Sequence, residues 1–338
     1  MSGGSDIAAQ APLVVSEPPA GGLHRRLDWI DALKGIGIVA VVAGHVWTRG
    51  PVRDAIYLVH MPLFFILSGY TARHMPWGKL LPGSLRSLGL PFLCFSILLI
   101  GADFLIEGLR GVRPIFASWL QAAGTILFAT EKLRGPFTIL WFIPCLFLAR
   151  LIWNALVAKD RRADAWPVLA AMALVGGLAM IAHLGTASPL AVLAVPGALL
   201  MIWAGALWRL WGSPQRALMI ILAGLAVAGL VWLPPVNMKL GHFGMPFLSL
   251  GAAVAATVTL GRLVQGLPAL AMAALASLGR ASLVIMYVHV AFIHYLAPYA
   301  PRLALFVVAL SVSLLIDRMI RHASIARRLL LGEAKNLG

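Results

Sequence analysis

The sequence predicts an all-α, polytopic membrane protein: a bundle of about ten transmembrane helices with both termini in the cytoplasm. Of its 338 residues, 61% are hydrophobic and only 12% are charged, and the mean hydropathy is +0.91. Soluble domains carry about 25% charged residues, and one water-soluble core could not bury so many apolar side chains. Apolar segments of spanning length recur along the chain, so the bilayer is the expected solvent for them.

The net charge of +15 does not indicate a nucleic-acid-binding protein. The basic residues punctuate apolar segments and form no continuous patch, which is the pattern of membrane topology signals. The two cysteines, Cys94 and Cys145, lie inside apolar segments. Both are therefore expected to be buried hydrophobic residues without a disulfide.

Ten apolar segments are predicted to cross the membrane. They are 29–47, 56–72, 85–106, 140–157, 168–183, 190–207, 217–233, 243–260, 278–296 and 303–320. Segment 115–129 is also apolar, but it is short for a span and is predicted to be re-entrant or interfacial. Residues 1–24 are predicted to be a disordered cytoplasmic tail, 25–322 the membrane domain, and 323–338 a basic cytoplasmic tail.

The distribution of Lys and Arg supports this topology. If segment 115–129 crossed the membrane, the cluster Lys159-Asp160-Arg161-Arg162 would lie outside and break the bias of positive residues toward the cytoplasm. With ten spans, only a minority of basic residues lies outside, namely Arg49, Arg53, Arg110, Arg113, Lys132, Arg134, Lys239 and Arg302. No internal repeat is visible, so the sequence gives no support to an inverted-repeat transporter.

Ionisable residues at membrane depth are costly and are candidates for function. The first predicted helix carries Lys34 near its cytoplasmic end and His45 eleven residues later. At 100° per residue the two side chains are about 20° apart around the helix and about 16 Å apart along it. One helix face therefore holds a cation near the inside and an imidazole toward the outside. A snorkelling lysine and a packing histidine would explain the same spacing.

Other predicted helices also carry polar or aromatic residues that are candidates for function. His60 opens the second helix at the outer level of His45, and Ser68 and Tyr70 close it near the inner face. Tyr287 and His289 lie within the ninth predicted span, and Trp141 begins the fourth. Helix packing and an interfacial aromatic belt are the alternative explanations for these residues.

Other chemistries have no support in the sequence. There is no Gly-rich phosphate loop and no Gly-x-Ser-x-Gly elbow, and no Cys or His spacing suits structural zinc. No metal is expected. The carboxylates Asp28 and Asp31 lie at the inner end of the first helix, too far from His45 to orient it.

These residues together resemble the membrane acyltransferase type 3 family, and residues 26–70 resemble its fucose O-acetylase-like branch. Several motifs carry the resemblance and are collinear to about residue 290. They are Asp31-x-Leu-Lys-Gly, Lys34-x10-His45, His60-Met-Pro-Leu-Phe-Phe, Leu67-Ser-Gly-Tyr70, Arg86 with Pro91, Trp141-Phe142 ahead of Leu146-Phe147, Gly279-Arg-x-Ser-Leu283, and Tyr287-x-His289.

The resemblance implies an O-acyltransferase of the bacterial inner membrane with acetyl-coenzyme A as the donor and a carbohydrate hydroxyl as the acceptor. The cytoplasmic donor would be held by cations and polar groups near the inner face: Lys34, Arg73, Lys79, Arg86, Arg280, Ser68 and Tyr70. Trp141, Tyr287 and His289 would contact the acceptor. The lipid bilayer is the other expected partner; the oligomeric state is open.

Direct transfer is the leading mechanism, with His45 as general base, since imidazole suits proton abstraction near neutral pH. His60 would orient or relay, and Asp103 is the carboxylate expected to stabilise the His45 imidazolium. An acetyl-imidazole intermediate on His45 remains open. Two other functions also remain open at this stage. One is a transporter or flippase for a lipid-linked sugar, and the other is a non-catalytic subunit of a polysaccharide assembly complex.

Overall fold

A computed structural model describes residues 28–157 and 161–334, so the predicted N-terminal tail lies outside the described residues. Within those residues the chain is helical and forms no β-strand, which confirms the all-α prediction. The α-helices are α1 Asp28–Val46, α2 Pro51–Thr71, α3 Trp77–Ser84, α4 Leu90–Leu109, α5 Trp119–Phe128, α6 Phe142–Leu156, α7 Trp166–Ile181, α8 Val195–Trp211, α9 Arg216–Trp232, α10 Pro246–Gln265, α11 Ala269–Arg280, α12 Ser282–Leu296, α13 Arg302–His322 and α14 Ser324–Leu331.

Eight helical segments of the described chain are long and apolar enough to cross a bilayer, and the bent pair α11 and α12 would make a ninth crossing. The segment predicted to be re-entrant or interfacial contains α5, whose 10 residues extend only about 15 Å. Helix α9 is apolar, but at 17 residues it is not among those eight segments. The count of ten spans stays a prediction.

The neighbours of α9 indicate that it runs from one end of the bundle to the other. A side chain at Gly261, near the end of α10, would meet the ring of Trp208, near the end of α8. The C-terminal ends of α8 and α10 therefore lie at the same end of the bundle. Because α9 connects the end of α8 to the start of α10, it must run from this end to the opposite one. Its length is about 25 Å, close to the thickness of a hydrocarbon core.

Helices α1 and α2 define the two ends of the bundle. Helix α1 carries Lys34 in its second turn and His45 in its last, and α2 returns from His60 to Ser68. We call the two ends the Lys34 end and the His45 end. The side chain of Trp141, just before α6, lines a cavity with His45, so α6 starts at the His45 end.

The ninth predicted span is broken. Helices α11 and α12 meet at Ala281 with a bend of 71°, and the break frees the carbonyl of Arg280. Arg321 on α13 donates a hydrogen bond to that carbonyl at 3.0 Å, and Asp317 accepts from the same guanidinium at 2.7 Å. A side chain therefore satisfies the freed backbone group, as a broken helix in a membrane requires.

Glycine brings four helices into backbone contact. A Cβ added at Gly35 would overlap the Leu275 carbonyl, and one at Gly279 would overlap the Asp31 carbonyl, so α1 and α11 touch at both positions. The same reciprocal contact joins α2 to α8. Gly69 lies against the carbonyl of Ile202, and Gly205 against that of Ile66. Such small-residue contacts are the usual basis of helix association in lipid.

We expect Gly69→Ala to destabilise the protein, because the added methyl group would have to displace the α8 backbone. Overpacking of this kind costs about 1–3 kcal/mol, and the thermal unfolding temperature of purified protein in detergent should fall by several degrees. The matched control is Gly224→Ala in α9, where a Cβ meets no atom within 4 Å. That change should be neutral or slightly stabilising. Equal unfolding temperatures for the two variants would contradict the close contact.

Candidate active site

A cavity with a volume of about 610 Å³ lies at the Lys34 end. Among the described residues that line it, five are basic and one, Asp31, is a carboxylate. The basic residues are Lys34, Arg73, His74, Arg150 and Arg209. Such a concentration of positive charge around a cavity suits a ligand that carries phosphates.

Hydrogen bonds hold the chain segment that follows α2 in place beside this cavity. Asn154 of α6 accepts from the amide of Met75 at 2.9 Å and donates to its carbonyl at 3.0 Å. Arg209 donates to the Ala72 carbonyl at 3.2 Å. Lys34 pairs with Asp31 at 3.3 Å. Arg73 and His74 are thus carried on a fixed backbone at the mouth of the cavity.

A second cavity of about 210 Å³ lies deeper and shares Lys34, Ser68 and Thr71 with the first. The rest of its lining is almost entirely apolar and comes from α2, α6, α12 and the segment before α4. These residues are Phe64, Leu67, Leu88, Phe142, Ile143, Leu146, Leu283 and Met286, with Ser282 the one further polar residue. The two cavities adjoin at the three shared residues, and the lining changes there from polar to mostly apolar.

A third cavity, of about 150 Å³, lies at the His45 end. Met61 of this cavity lies about one helical turn before Phe64 of the second cavity. Trp141 of this cavity directly precedes Phe142 of the second. The remaining lining is mostly polar or basic: His45, Arg53, Tyr57, His60, Thr138, Ile139, Val236, Asn237, Met238 and Lys239. From α1, Lys34 lines the first and second cavities, and His45 lines the third.

Two histidines have a defined tautomer. His60 Nδ1 lies 2.8 Å from the Ile56 carbonyl, and His289 Nδ1 lies 2.7 Å from the Ile285 carbonyl. A carbonyl can only accept, so Nδ1 carries the proton and Nε2 keeps its lone pair. In each case the partner is four residues back on the same helix.

His289 is the neighbour of His45. Their ring centroids are 5.2 Å apart with the planes inclined at 57°. His289 is fully buried, and its Nε2 has no hydrogen-bond partner among the described residues. Because this nitrogen is an acceptor, His289 is suited to receive a proton or a hydrogen bond from His45.

The segment between α9 and α10 covers the third cavity. Asn237 and His242 form an isolated antiparallel bridge, and Gly241 closes the turn with a left-handed φ of 68°. Lys239 donates to the Leu133 carbonyl at 2.7 Å. Burial lowers the pKa of Lys239 from its ordinary value, and the charge of Glu131 acts in the opposite direction.

The structure brings seven of the predicted site residues to the three cavities: Lys34, His45, His60, Ser68, Tyr70, Arg73 and Trp141. Tyr70 also packs against Trp208 with ring centroids 4.9 Å apart. His289 lies beside His45, as described above. Tyr287 is buried and stacks on Phe95 at 4.3 Å.

Four predicted residues lie elsewhere. The three cations expected to hold the donor, Lys79, Arg86 and Arg280, do not line the cavity at the Lys34 end. Asp103 is not placed beside His45. Its Oδ1 accepts from the Tyr295 hydroxyl at 2.8 Å, and its Oδ2 accepts from the Ile115 amide at 2.8 Å. Both oxygens thus hold the chain that follows α4 against α12.

Several cavity residues were missed by sequence reasoning. Arg150 lies inside the fourth predicted span. Because an ionisable residue inside a span is a candidate for function, its position in the sequence was sufficient to predict a role for it. Arg209 had no predicted role, and Arg53 and Lys239 were considered only as topology markers. The sequence places them at the correct helix ends but does not show that they face a shared cavity.

The model of the acyltransferase domain family matches residues 27–318. The chain therefore belongs to the acyltransferase type 3 family, and the predicted resemblance is confirmed at the level of the family. The match does not specify the branch, so the fucose O-acetylase-like assignment stays a prediction. A search of curated proteins found no match. The chain is a multi-pass membrane acyltransferase.

Proposed function

We propose that the protein transfers an acetyl group from cytoplasmic acetyl-coenzyme A to a hydroxyl of an extracytoplasmic or lipid-linked glycan, in the bacterial inner membrane. The observation that carries this proposal is the alignment of three cavities along α1, with Lys34 at one end and His45 at the other. In this orientation the Lys34 end faces the cytoplasm.

The cavity at the Lys34 end suits the nucleotide part of the donor. Coenzyme A carries several phosphate charges, and Arg and Lys side chains are the usual partners of phosphate. Arg73, Arg150 and Arg209 line the cavity together with Lys34. Its volume of about 610 Å³ falls in the range of small-molecule sites.

The second cavity suits the pantetheine arm, which is long and uncharged. Its lining is apolar apart from Lys34, Ser68, Thr71 and Ser282. An arm that lies there would carry the thioester toward His45 while the charged nucleotide stays behind. Only the acyl group would then have to reach the far side of the membrane.

The His45 imidazole would act as general base. It takes the proton of the acceptor hydroxyl while that oxygen attacks the thioester carbonyl, which gives a tetrahedral intermediate. Collapse breaks the carbon–sulfur bond, and the leaving thiolate takes the proton from the imidazolium. His289, 5.2 Å away between ring centroids, would accept a hydrogen bond from His45 and orient it. His60 would present its Nε2 lone pair to the acceptor.

The experiment that tests this function is mass spectrometry of surface glycans from cells with and without the protein. We expect glycan acetylation that depends on the protein and requires His45. General base catalysis contributes about 10²–10⁴ in rate, so His45→Ala should lower transfer at least about a hundredfold. His60→Ala should also lower it strongly.

The matched control for these changes is His183→Ala, which removes an exposed histidine that lines none of the three cavities. Acetylation should persist in that variant. Normal acetylation by a well-expressed His45→Ala protein would refute the assignment of His45 as the base.

Lys34→Ala should weaken acetyl-coenzyme A binding by about 1.5–3 kcal/mol, the range for one charged hydrogen bond. That corresponds to about one to two orders of magnitude in affinity. The substitution would also remove the cation that lies 3.3 Å from the Asp31 carboxylate. The negative charge of Asp31 would then face the phosphates without Lys34 beside it. Lys34→Arg should retain most of the affinity. Calorimetry on protein in nanodiscs measures the effect.

Two comparisons complete this test. Lys79→Ala should leave donor affinity unchanged, since Lys79 is exposed on α3 and lines none of the three cavities. His45→Ala should bind the donor normally but fail to transfer, because a base acts only during the reaction. Loss of donor binding in the His45 variant and not in the Lys34 variant would reverse the assigned roles.

The orientation can be tested with single cysteines in a background that lacks Cys94 and Cys145. Arg134 lies at the His45 end, next to the Leu133 carbonyl that Lys239 contacts, and Arg161 follows α6 at the Lys34 end. Both positions are exposed. An impermeant thiol reagent on intact cells should label Arg134→Cys and not Arg161→Cys. The opposite pattern would place the donor cavity outside.

A further inference from the structure

Two cations line the cavity at the His45 end, Arg53 and Lys239, together with His45 and His60. Among the described residues, no Asp or Glu belongs to this lining. In a site with little water, a positive charge that faces the cavity is strongly attractive to an anion. The direct transfer proposed above uses neither Arg53 nor Lys239.

Arg53 is held so that one side of its guanidinium remains available. The group lies 3.8 Å from the centroid of the Tyr57 ring, and Nη1 donates to Asp54 at 2.8 Å. Asp54 is more exposed than Arg53 and does not line the cavity. The Nε of Arg53 is buried without a hydrogen-bond partner among the described residues. A buried donor of this kind is costly unless a ligand satisfies it.

Lys239 approaches the same cavity from the segment between α9 and α10. The Leu133 carbonyl accepts one of its three N–H groups at 2.7 Å, and the others have no protein acceptor among the described residues. Glu131 lies near enough to favour the charged lysine, but its Oε2 accepts from the Ser188 amide at 3.0 Å. Glu131 does not line the cavity, so it does not neutralise the site from within.

The surrounding surface has the same sign. The segments at the His45 end carry eight Lys or Arg residues (Arg49, Arg53, Arg110, Arg113, Lys132, Arg134, Lys239, Arg302) and four carboxylates (Asp54, Asp103, Glu107, Glu131). Asp103 and Glu107 are buried, and Glu107 pairs with Arg110 at 3.1 Å. A field of this kind attracts anions toward the mouth of the cavity.

We propose that the acceptor carries an anionic group close to the hydroxyl that is acylated, and that Arg53 and Lys239 bind this group. The anion is a carboxylate of an acidic sugar or a phosphate attached to the sugar, since both offer oxygen acceptors to the two cations. This inference rests on the proposed function and names its substrate class.

The test measures binding without acetyl-coenzyme A, so its outcome is independent of whether transfer occurs. Calorimetry on protein in nanodiscs compares methyl glucoside, methyl glucuronide and glucose 1-phosphate. We expect at least one of the two anionic sugars to bind about tenfold more tightly than the neutral glucoside. Preference for the glucuronide assigns a sugar carboxylate, and preference for glucose 1-phosphate assigns a phosphate.

Substitutions test whether Arg53 and Lys239 cause the preference for an anionic sugar. Lys239→Gln and Arg53→Gln should each remove most of the preference, and Arg53→Lys should keep much of it if the positive charge is what matters. Arg134→Gln is the matched control, because it removes an exposed cation that does not line the cavity. The proposal is overturned if neither anionic sugar binds more tightly than the glucoside. An equal loss of preference in Arg134→Gln would also overturn it, since the general field would then explain the effect.

Discussion

The close approach of helix backbones at four glycines is the constraint on which the rest of the structure depends. Helices in lipid gain little from burying apolar surface against each other, so they associate where small residues allow tight packing. Gly35 and Gly279 join α1 to α11, and Gly69 and Gly205 join α2 to α8. Each contact fixes one face of the two helices that carry the candidate site.

Other side chains of α1 and α2 line the second cavity, which lies between these two helices, α6, α12 and the segment before α4. On α1, Asp31 contacts Gly279 through its carbonyl and also lines the cavity at the Lys34 end. The glycine contacts therefore fix the backbones that carry the side chains of the candidate site.

Three polar side chains at membrane depth find a hydrogen-bond acceptor on their own helix. His60, His289 and Thr71 each donate to a carbonyl of their own helix four residues back. Their donors are satisfied locally, without a partner on another helix. For the two histidines this arrangement leaves Nε2 as an acceptor, so the backbone of the same helix sets the tautomer that proton transfer requires.

The sequence predicted the features that depend on a single helix. The shared face of Lys34 and His45 follows from helical periodicity alone, and each of the two side chains lines a cavity. The placement of His60 beside the same cavity as His45 required only a short connection between two helices. Composition and hydropathy were sufficient for the fold class.

Features that depend on contacts distant in sequence were not predictable. Asp103 was assigned to His45 because both lie near the same membrane face, but its hydroxyl partner is Tyr295, 192 residues away. Arg150 and Lys239 join their cavities only through packing between helices or loops. Arg86 and Arg280 do not line the cavity at the Lys34 end, because membrane topology alone does not determine which side chains share a cavity.

The unequal sizes of the cavities bear on what can be transferred. Under the proposed function, the large basic cavity binds the nucleotide equally well before and during the reaction, so its contacts support affinity. The cavity at His45, about 150 Å³ in volume, must hold both the acyl carbon and the acceptor oxygen. Under the proposed function, this limited space favours a small acyl group, so the third cavity would set acyl selectivity and the first would set donor affinity.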